Sequence, residues 1–212
     1  RRQRQMCIET GGYWFEHIFH NVNISLGCYE VFKYTRDFDF LREKGYPVIR
    51  ACALNCLYRS VYQFGDKAIV GKVTDMERLG TDHENAFMTT CGVVCLFQKA
   101  AECASLLNID LEYKEQWIAL ADKLLANLPR DTEKYIPYPD CPTSSIGQLG
   151  GYYPYPVLSA EDRFGRNAFH DFITHETKIG NMYEGGQSVC AWYAIWELSL
   201  IHISEPTDRT RS

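Results

Sequence analysis

The run AFMTTCGVVCLFQKAAECASLL, residues 86–107, places apolar side chains at intervals of three and four residues. Phe87, Val94, Leu96 and Ala100 are among them. This interval is the period of an α-helix with an apolar face, whereas a half-buried strand would alternate apolar and polar residues. The run therefore predicts a helix that packs against a core.

The same interval recurs along most of the chain, which has few alternating stretches. One predicted helix begins just after Pro47, a favourable first-turn residue. We therefore predict an all-α fold of helix pairs joined by short or medium connections. The faces that carry this prediction are Trp14, Ile18, Val22 and Leu26; Val48, Cys52 and Cys56; Trp117, Leu120 and Leu124 within Leu111 to Leu128; and Val189, Trp192, Tyr193 and Trp196 within about Gln187 to Leu198.

Two long stretches break the helical pattern. Gly65 to Asn85 has no long apolar face, and Tyr135 to Pro156 is dense in Pro, Gly and Tyr. Long connections in a compact domain are usually functional or disordered, and disordered segments are poor in aromatic residues. The second stretch is therefore expected to be ordered and to bind a ligand through its tyrosines: Tyr135, Tyr138, Tyr152, Tyr153 and Tyr155.

Charge and composition limit the classes of partner that the protein is expected to bind. The formal charge is −5 over 212 residues, which argues against nucleic acid as a partner. No apolar run approaches the roughly 20 residues of a membrane span, so no membrane partner is expected. The nine cysteines form no obvious disulfide framework, which slightly favours a reducing, cytoplasmic location.

Two cysteine pairs invite a test for zinc. Cys52 and Cys56 are four residues apart, as are Cys91 and Cys95, and both pairs lie within apolar helical patterns. This spacing directs one small side chain of each pair into a core. Common zinc sites have a two-residue spacing or flanking histidines, so no metal or other cofactor is expected.

Titratable side chains are concentrated in residues 77–85, ERLGTDHEN, immediately before the helix of residues 86–107. A carboxylic acid there could protonate a leaving glycosidic oxygen, while a second carboxylate steers a water molecule. The competing interpretation, favoured by composition alone, is capping. Asp82 or Thr81 would then occupy the N-cap, with Glu84 or Asn85 in the first helical turn.

The order Gly80-Thr81-Asp82-His83-Glu84-Asn85, followed at once by a helix, resembles the acid-bearing loop of glycoside hydrolase family 65. It is also similar to the Ser-Pro-Glu-Asn loop of family 95, whose glutamate is the general acid. The chain lacks the Gly-Pro-Asp-Glu-Tyr order of the former and the Ser-Pro pair of the latter.

Further segments resemble the same families over roughly residues 13 to 130. They include residues 34–43, YTRDFDFLRE, then Tyr46-Pro47, and also Ala100 to Glu102, Leu106 to Asp110 and Trp117 to Pro129. The resemblance implies a partial (α/α)6 toroid of helical hairpins. Residues 1–198 would then be a fragment of a glycosidase-like catalytic domain.

The resemblance also implies roles for individual residues. Glu84 aligns with the family 95 acid, and Asp82 is the alternative general acid. Glu184, before the last aromatic helix, could hold a water molecule as the base of an inverting mechanism, or could simply begin that helix. Substrate contacts are expected from Trp14, His83, Asn85, Tyr153 and Gln187, with His83 equally suited to a structural role.

Asn21 and Asn23 offer another possible pair of polar contacts. Because they are two residues apart on a predicted helix, they point to different sides. At most one of them can therefore line a site.

The predicted activity is hydrolysis of glycosidic bonds in an oligosaccharide. A glycoside phosphorylase of the same fold is the alternative, although the family 65 His-Ser-Ser pattern is absent. A non-catalytic helical binding module is the alternative from a different class.

The last residues have a different interpretation. From Leu198 the chain reads LSLIHISEPT, which resembles the translation of a sequencing-library adapter. We therefore interpret residues 199–212 as a non-native tail, against the alternative of a natural polar tail after a helix.

Overall fold

The computed structural model describes residues 17–75, 81–143 and 145–179, with side chains through residue 172 and without residue 144. Most of the described residues are helical, as the sequence predicts. The helices are α1 (Phe19–Thr35), α2 (Phe38–Phe40), α3 (Tyr46–Arg59), α4 (Phe87–Leu107), α5 (Leu111–Ala126) and α6 (Arg163–Ile179). A π-helical turn (Leu41–Gly45) joins α2 to α3, and a 3-10 turn (Ile146–Leu149) precedes α6.

Helix α4 is the centre of the core. Fifteen of its 21 residues are buried, and it packs against α1, α3 and α5. Its length and composition would also suit a membrane span, but 67% of its most apolar window is buried inside the protein. A helix that is apolar on most sides and surrounded by protein is a core helix.

The predicted helices that fall within the described residues are confirmed, and local chemistry explains where they end. Helix α1 buries Val22, Ser25, Tyr29 and Phe32, and it stops at Arg36. Arg36 adopts a left-handed backbone (φ 56°), and its N–H donates to the carbonyl of Phe32 at 2.7 Å. This is a C-terminal cap of the kind usually made by glycine.

The cysteine pairs occupy the core as expected. Cys56, Cys91 and Cys95 are buried, while Cys52 is half-buried. Burial raises the pKa of the Cys56 thiol to about 12 and that of Cys95 to about 11. Burial therefore keeps these thiols protonated, which suits side chains that fill space.

A β-hairpin that overlaps the start of the first long connection was not predicted. Strand β1 (Val61–Phe64) pairs antiparallel with β2 (Lys67–Val70), and Gly65 in the turn has φ 61°. Ala68 and Val70 enter the core on one face of the hairpin. The described residues are therefore mostly helical with a two-stranded sheet, and not purely helical.

The tyrosine-rich connection is ordered, but the binding role predicted for several of its rings is wrong. Tyr135, Tyr152 and Tyr155 are buried with relative exposures of 5%, 7% and 1%. Tyr155 packs against Gly92 of α4, where an added Cβ would come within 3.1 Å of its ring. These three side chains help to build the core.

Several predicted features lie outside the described residues. They are Trp14, Glu184, Gln187, the helix from about Gln187 to Leu198, and the tail of residues 199–212.

Candidate active site

Two clefts of about 690 and 710 Å³ share a wall formed by Ile69 and Glu84. We call the first the hairpin cleft; its other lining residues include Asn21, Asn55, Arg59, Tyr62, Phe64 and Lys72. We call the second the loop cleft; its other lining residues include Asn127, Arg130, Asp131, Ile136, Asp140 and Cys141. Glu84, the acid that the sequence favours, is therefore exposed to both clefts.

The backbone on both sides of Glu84 is firmly held. His83 and Val73 exchange two backbone hydrogen bonds of 3.0 and 2.9 Å. The N–H of Asn85 donates to the carbonyl of Val70 at 2.8 Å. Glu84 thus lies between two residues whose backbones are hydrogen-bonded to β2 or to the residues just after it, so the position of its Cα is well defined.

The side chain of Asn85 forms hydrogen bonds within the protein. It is buried, and its Nδ2 donates to the carbonyl of Asn127 at 2.7 Å. Its Oδ1 accepts from the Thr90 hydroxyl at 3.4 Å, and its backbone is left-handed (φ 52°). We therefore assign Asn85 a role in holding the acid loop against α4 and α5. Because Asn85 also lines the loop cleft, the contact with substrate that the sequence suggested stays a prediction.

The capping interpretation of the acid loop is wrong. The N-cap of α4 is Ala86, which has no capping side chain, and the N–H of Phe87 donates to the carbonyl of Pro137 at 2.8 Å. Oδ1 of Asp75 accepts from the N–H of Thr89 at 2.8 Å and from its hydroxyl at 2.5 Å. A residue remote in sequence caps the helix, so Asp82 and Glu84 are not needed for that purpose.

Asp75 is a buried carboxyl group close to the loop. Desolvation raises its pKa to about 6, although hydrogen bonds from Thr89 and from the Met88 amide act in the opposite direction. Within the described part of the chain, its Oδ2 has no hydrogen-bond partner. Burial without a full set of partners favours the neutral form of the carboxyl group.

His83 and Asp82 occupy different surroundings. The His83 imidazole stacks on the ring of Tyr138, with centroids 3.8 Å apart and planes inclined by 12°. Asp82 is exposed, and its carboxylate lies 3.6 Å from Nζ of Lys72. Asp82 has a left-handed backbone (φ 66°). Among the described residues, neither Asp82 nor His83 lines either cleft.

The exposed face of the hairpin adds two aromatic rings that the sequence analysis missed. Tyr62 and Phe64 are 52% and 63% exposed, and alternate positions along β1 place them on the same face. Both line the hairpin cleft. The alternation VYQF before Gly65-Asp66 is a hairpin signal that could have revealed them.

Gly71 allows one of these rings to lie close to the backbone. A Cβ added at Gly71 would come within 2.4 Å of Cε2 of Tyr62, which is far below a van der Waals contact. The N–H of Gly71 donates to the carbonyl of Ser60 at 2.8 Å. The absence of a side chain at Gly71 therefore sets the position of the Tyr62 ring in the cleft.

The two asparagines of α1 separate as predicted. Asn21 lines the hairpin cleft, whereas Oδ1 of Asn23 accepts from the hydroxyl of Tyr155 at 2.9 Å. Asn21 is thus placed at a candidate site, and Asn23 links α1 to the tyrosine-rich connection. Tyr153 is half-buried and is not among the described lining residues of either cleft.

Two carboxylates share the loop cleft with Glu84. Asp131 and Asp140 both line it, and Oδ1 of Asp131 accepts from the N–H groups of Glu133 and Lys134 at 2.7 Å. Within the ranges that the structure describes, no group of three or more His, Cys, Asp or Glu side chains is arranged to hold a metal ion. The functional groups that line the two clefts are therefore carboxylates, cations, amides and aromatic rings.

Comparison with the models of known protein families gives no match, and comparison with curated proteins gives none either.

Proposed function

We propose that the protein is a glycoside hydrolase in which Glu84 protonates the leaving glycosidic oxygen. The observation that carries the proposal is the position of Glu84 on the wall between two clefts. An oligosaccharide that lies across this wall has a sugar in each cleft and its glycosidic bond beside the carboxyl group. A general acid must be within hydrogen-bond reach of the atom that it protonates.

The size and the lining of the hairpin cleft support a sugar ligand. Ligand sites commonly enclose about 300–1,000 Å³, a range that includes both clefts. Tyr62 and Phe64 offer flat apolar rings to one face of a pyranose, and Asn21 and Asn55 offer amide groups to its hydroxyls. Exposed aromatic residues grouped beside polar ones are a common feature of binding sites.

The helix arrangement supports the same class of fold. Helices α4 and α5 pack along each other and are joined by only three residues, 108–110, so they form a helical hairpin. Hairpins of this kind are the units of an (α/α)6 toroid. We propose that residues 1–198 form part of such a toroid.

Hydrolysis with inversion needs a second carboxylate that holds the attacking water. Glu184 is the residue that the sequence suggests, and Asp131 and Asp140 are carboxylates that line a cleft together with Glu84. Asp82 is the alternative acid. Its exposed carboxylate lies 3.6 Å from Nζ of Lys72.

The experiment compares Glu84→Gln with wild type for sugar release from α-linked disaccharides, both neutral and acidic, and from fucosides, with and without phosphate. We expect a loss of about 100-fold or more in the mutant. Glu115→Gln, which removes an exposed carboxylate from α5, is the control and should keep full activity. Release that requires phosphate would identify a phosphorylase.

Full activity in Glu84→Gln would overturn its role as the acid, and Asp82→Asn would then be the variant to measure. If wild type releases no sugar from any substrate of the panel, the hydrolase proposal is overturned in favour of a binding module.

A further inference from the structure

We propose that the hairpin cleft binds a sugar that carries a carboxylate, so that the substrate is an acidic oligosaccharide containing a uronic acid. This inference rests on the proposed glycosidase function, since it names the substrate class of the same site. It arises from the distribution of charge over the two clefts that meet at Glu84.

Arg59 is the cation that carries the argument. It is the last residue of α3, its side chain is exposed, and it lines the hairpin cleft. Within the described residues, Arg59 forms no ion pair, in contrast to Arg50, whose Nε lies 2.8 Å from Asp110. A guanidinium group presents two parallel N–H donors that match the two oxygens of a carboxylate.

Lys72 provides a second positive charge in the same cleft. Its Nζ lies 3.6 Å from Asp82, and both side chains are more than 60% exposed. Exposed ion pairs of this kind contribute only about 0–1 kcal/mol. A ligand carboxylate can therefore compete with Asp82 for Lys72 at little cost.

The aromatic face of the hairpin orients the ring that bears the carboxylate. Tyr62 and Phe64 lie on the same face of β1 and line the cleft together with Arg59. Stacking on an aromatic ring uses the apolar C–H face of a pyranose, which leaves the carboxylate at the edge of the sugar. The edge is where a guanidinium group can reach it.

The loop cleft has the opposite character. Asp131 and Asp140 line it, and its Arg130 guanidinium lies over the ring of Phe164, 4.8 Å from the centroid. Two carboxylates repel an anionic sugar, so the acidic ring is directed to the hairpin cleft and a neutral ring to the loop cleft. The charge pattern therefore also sets the direction in which the substrate lies across Glu84.

The test measures binding without catalysis, by titration calorimetry of the full chain with glucuronic acid, galacturonic acid and glucose. We expect tighter binding of a uronic acid than of glucose, with the difference shrinking as salt increases. Arg59→Gln should weaken uronic acid binding by about tenfold or more and leave glucose binding unchanged. Arg59→Lys, which keeps the charge but loses the planar fork, should show a smaller loss.

The control is Arg42→Gln, which removes the same charge from an exposed residue that is not among the described lining residues of the cleft. It should bind uronic acids as wild type does. Far-ultraviolet circular dichroism of each variant confirms that its helices are intact. Equal affinity for glucose and uronic acids, or an Arg59→Gln variant that binds uronic acids normally, would overturn the inference.

The two proposals fail separately. Binding of uronic acids that depends on Arg59, without sugar release from any glycoside, would support the ligand class and overturn the hydrolase. Glu84-dependent release of neutral sugars, without preference for uronic acids, would support the hydrolase and overturn the ligand class.

Discussion

Asp75 and Thr89 are joined by two hydrogen bonds across 14 residues of chain. Both the amide of Thr89, at 2.8 Å, and its hydroxyl, at 2.5 Å, donate to the same carboxylate oxygen of Asp75. All the atoms involved are buried. This pair therefore ties the segment that follows the hairpin, residues 71–75, to the first turn of the central helix.

Asp75→Ala should lower the free energy of unfolding by about 1–3 kcal/mol, because buried donors of Thr89 would lose their acceptor. Asp75→Asn keeps a carbonyl oxygen at the same place and should remain within about 1 kcal/mol of wild type. Urea unfolding followed by circular dichroism measures both values. Equal stability of the two variants would show that the hydrogen bonds to Thr89 do not support the helix.

The same carboxyl group should make stability depend on pH. The pKa of Asp75 is about 6 in the folded chain and near 3.8 in the unfolded chain. Between these values the folded protein holds a proton that the unfolded chain has lost, so the free energy of unfolding falls as pH rises through this window. The total fall is about 3 kcal/mol, from roughly two units of pKa shift.

Other carboxylates act in the opposite direction, so the measurement needs a reference variant. The pKa of Asp110 is lowered, chiefly by its hydrogen bonds from Arg50, and its contribution to stability is lost as pH falls. The difference between wild type and Asp75→Asn isolates Asp75, and it should change between pH 4 and pH 6. A constant difference over that range would contradict the prediction.

Gly71→Ala should disturb the hairpin cleft while the fold survives. The added Cβ would collide with Cε2 of Tyr62, but that ring is half-exposed and can rotate away. We expect the free energy of unfolding to change by less than about 1 kcal/mol, since surface side chains adapt readily. Affinity for sugar, measured by calorimetry, should fall because the stacking ring has moved.

Gly27→Ala is the control for Gly71→Ala, and it also makes a separate prediction. Gly27 is exposed in the middle of α1, and an added Cβ would meet no atom within 4 Å. Replacing a helical glycine with alanine should raise stability by about 0.5–1 kcal/mol, because the unfolded chain loses conformational freedom. Thermal unfolding measures the gain, and sugar affinity should not change.

Helices α1, α3, α4 and α5 were predictable because each carries a local signal, whereas α6 (Arg163–Ile179) was not predicted. In α4 the apolar residues recur at intervals of three and four residues up to Leu107, and Asn108, with φ 54°, ends the helix. The same holds for α3, which begins beside Pro47. Repeating periodicity and terminal residues lie within a short window of sequence, so no knowledge of tertiary contacts is needed.

Two of the features that were missed depend on contacts between distant residues. Composition alone favoured the acid loop as the cap of α4, yet Asp75 and the carbonyl of Pro137 perform that task from elsewhere in the chain. The tyrosines of the long connection were expected to bind ligand, yet Tyr155 fills a gap left by Gly92. Neither the residue that caps α4 nor the ring that packs on Gly92 can be identified from spacing, because tertiary packing selects among equally suitable polar or aromatic residues.

The bridge between Val73 and His83 has a consequence for how such a protein can evolve. The bridge joins the two ends of the segment of residues 74–82, which leads to Glu84, and the contact of Asp75 with Thr89 holds the start of this segment against α4. Residues inserted between Asp75 and Asp82 would leave the acid and the helix in place, and doubling the length of the enclosed segment would cost only about 0.6 kcal/mol. Insertions and deletions there would therefore leave the proposed reaction centre unchanged.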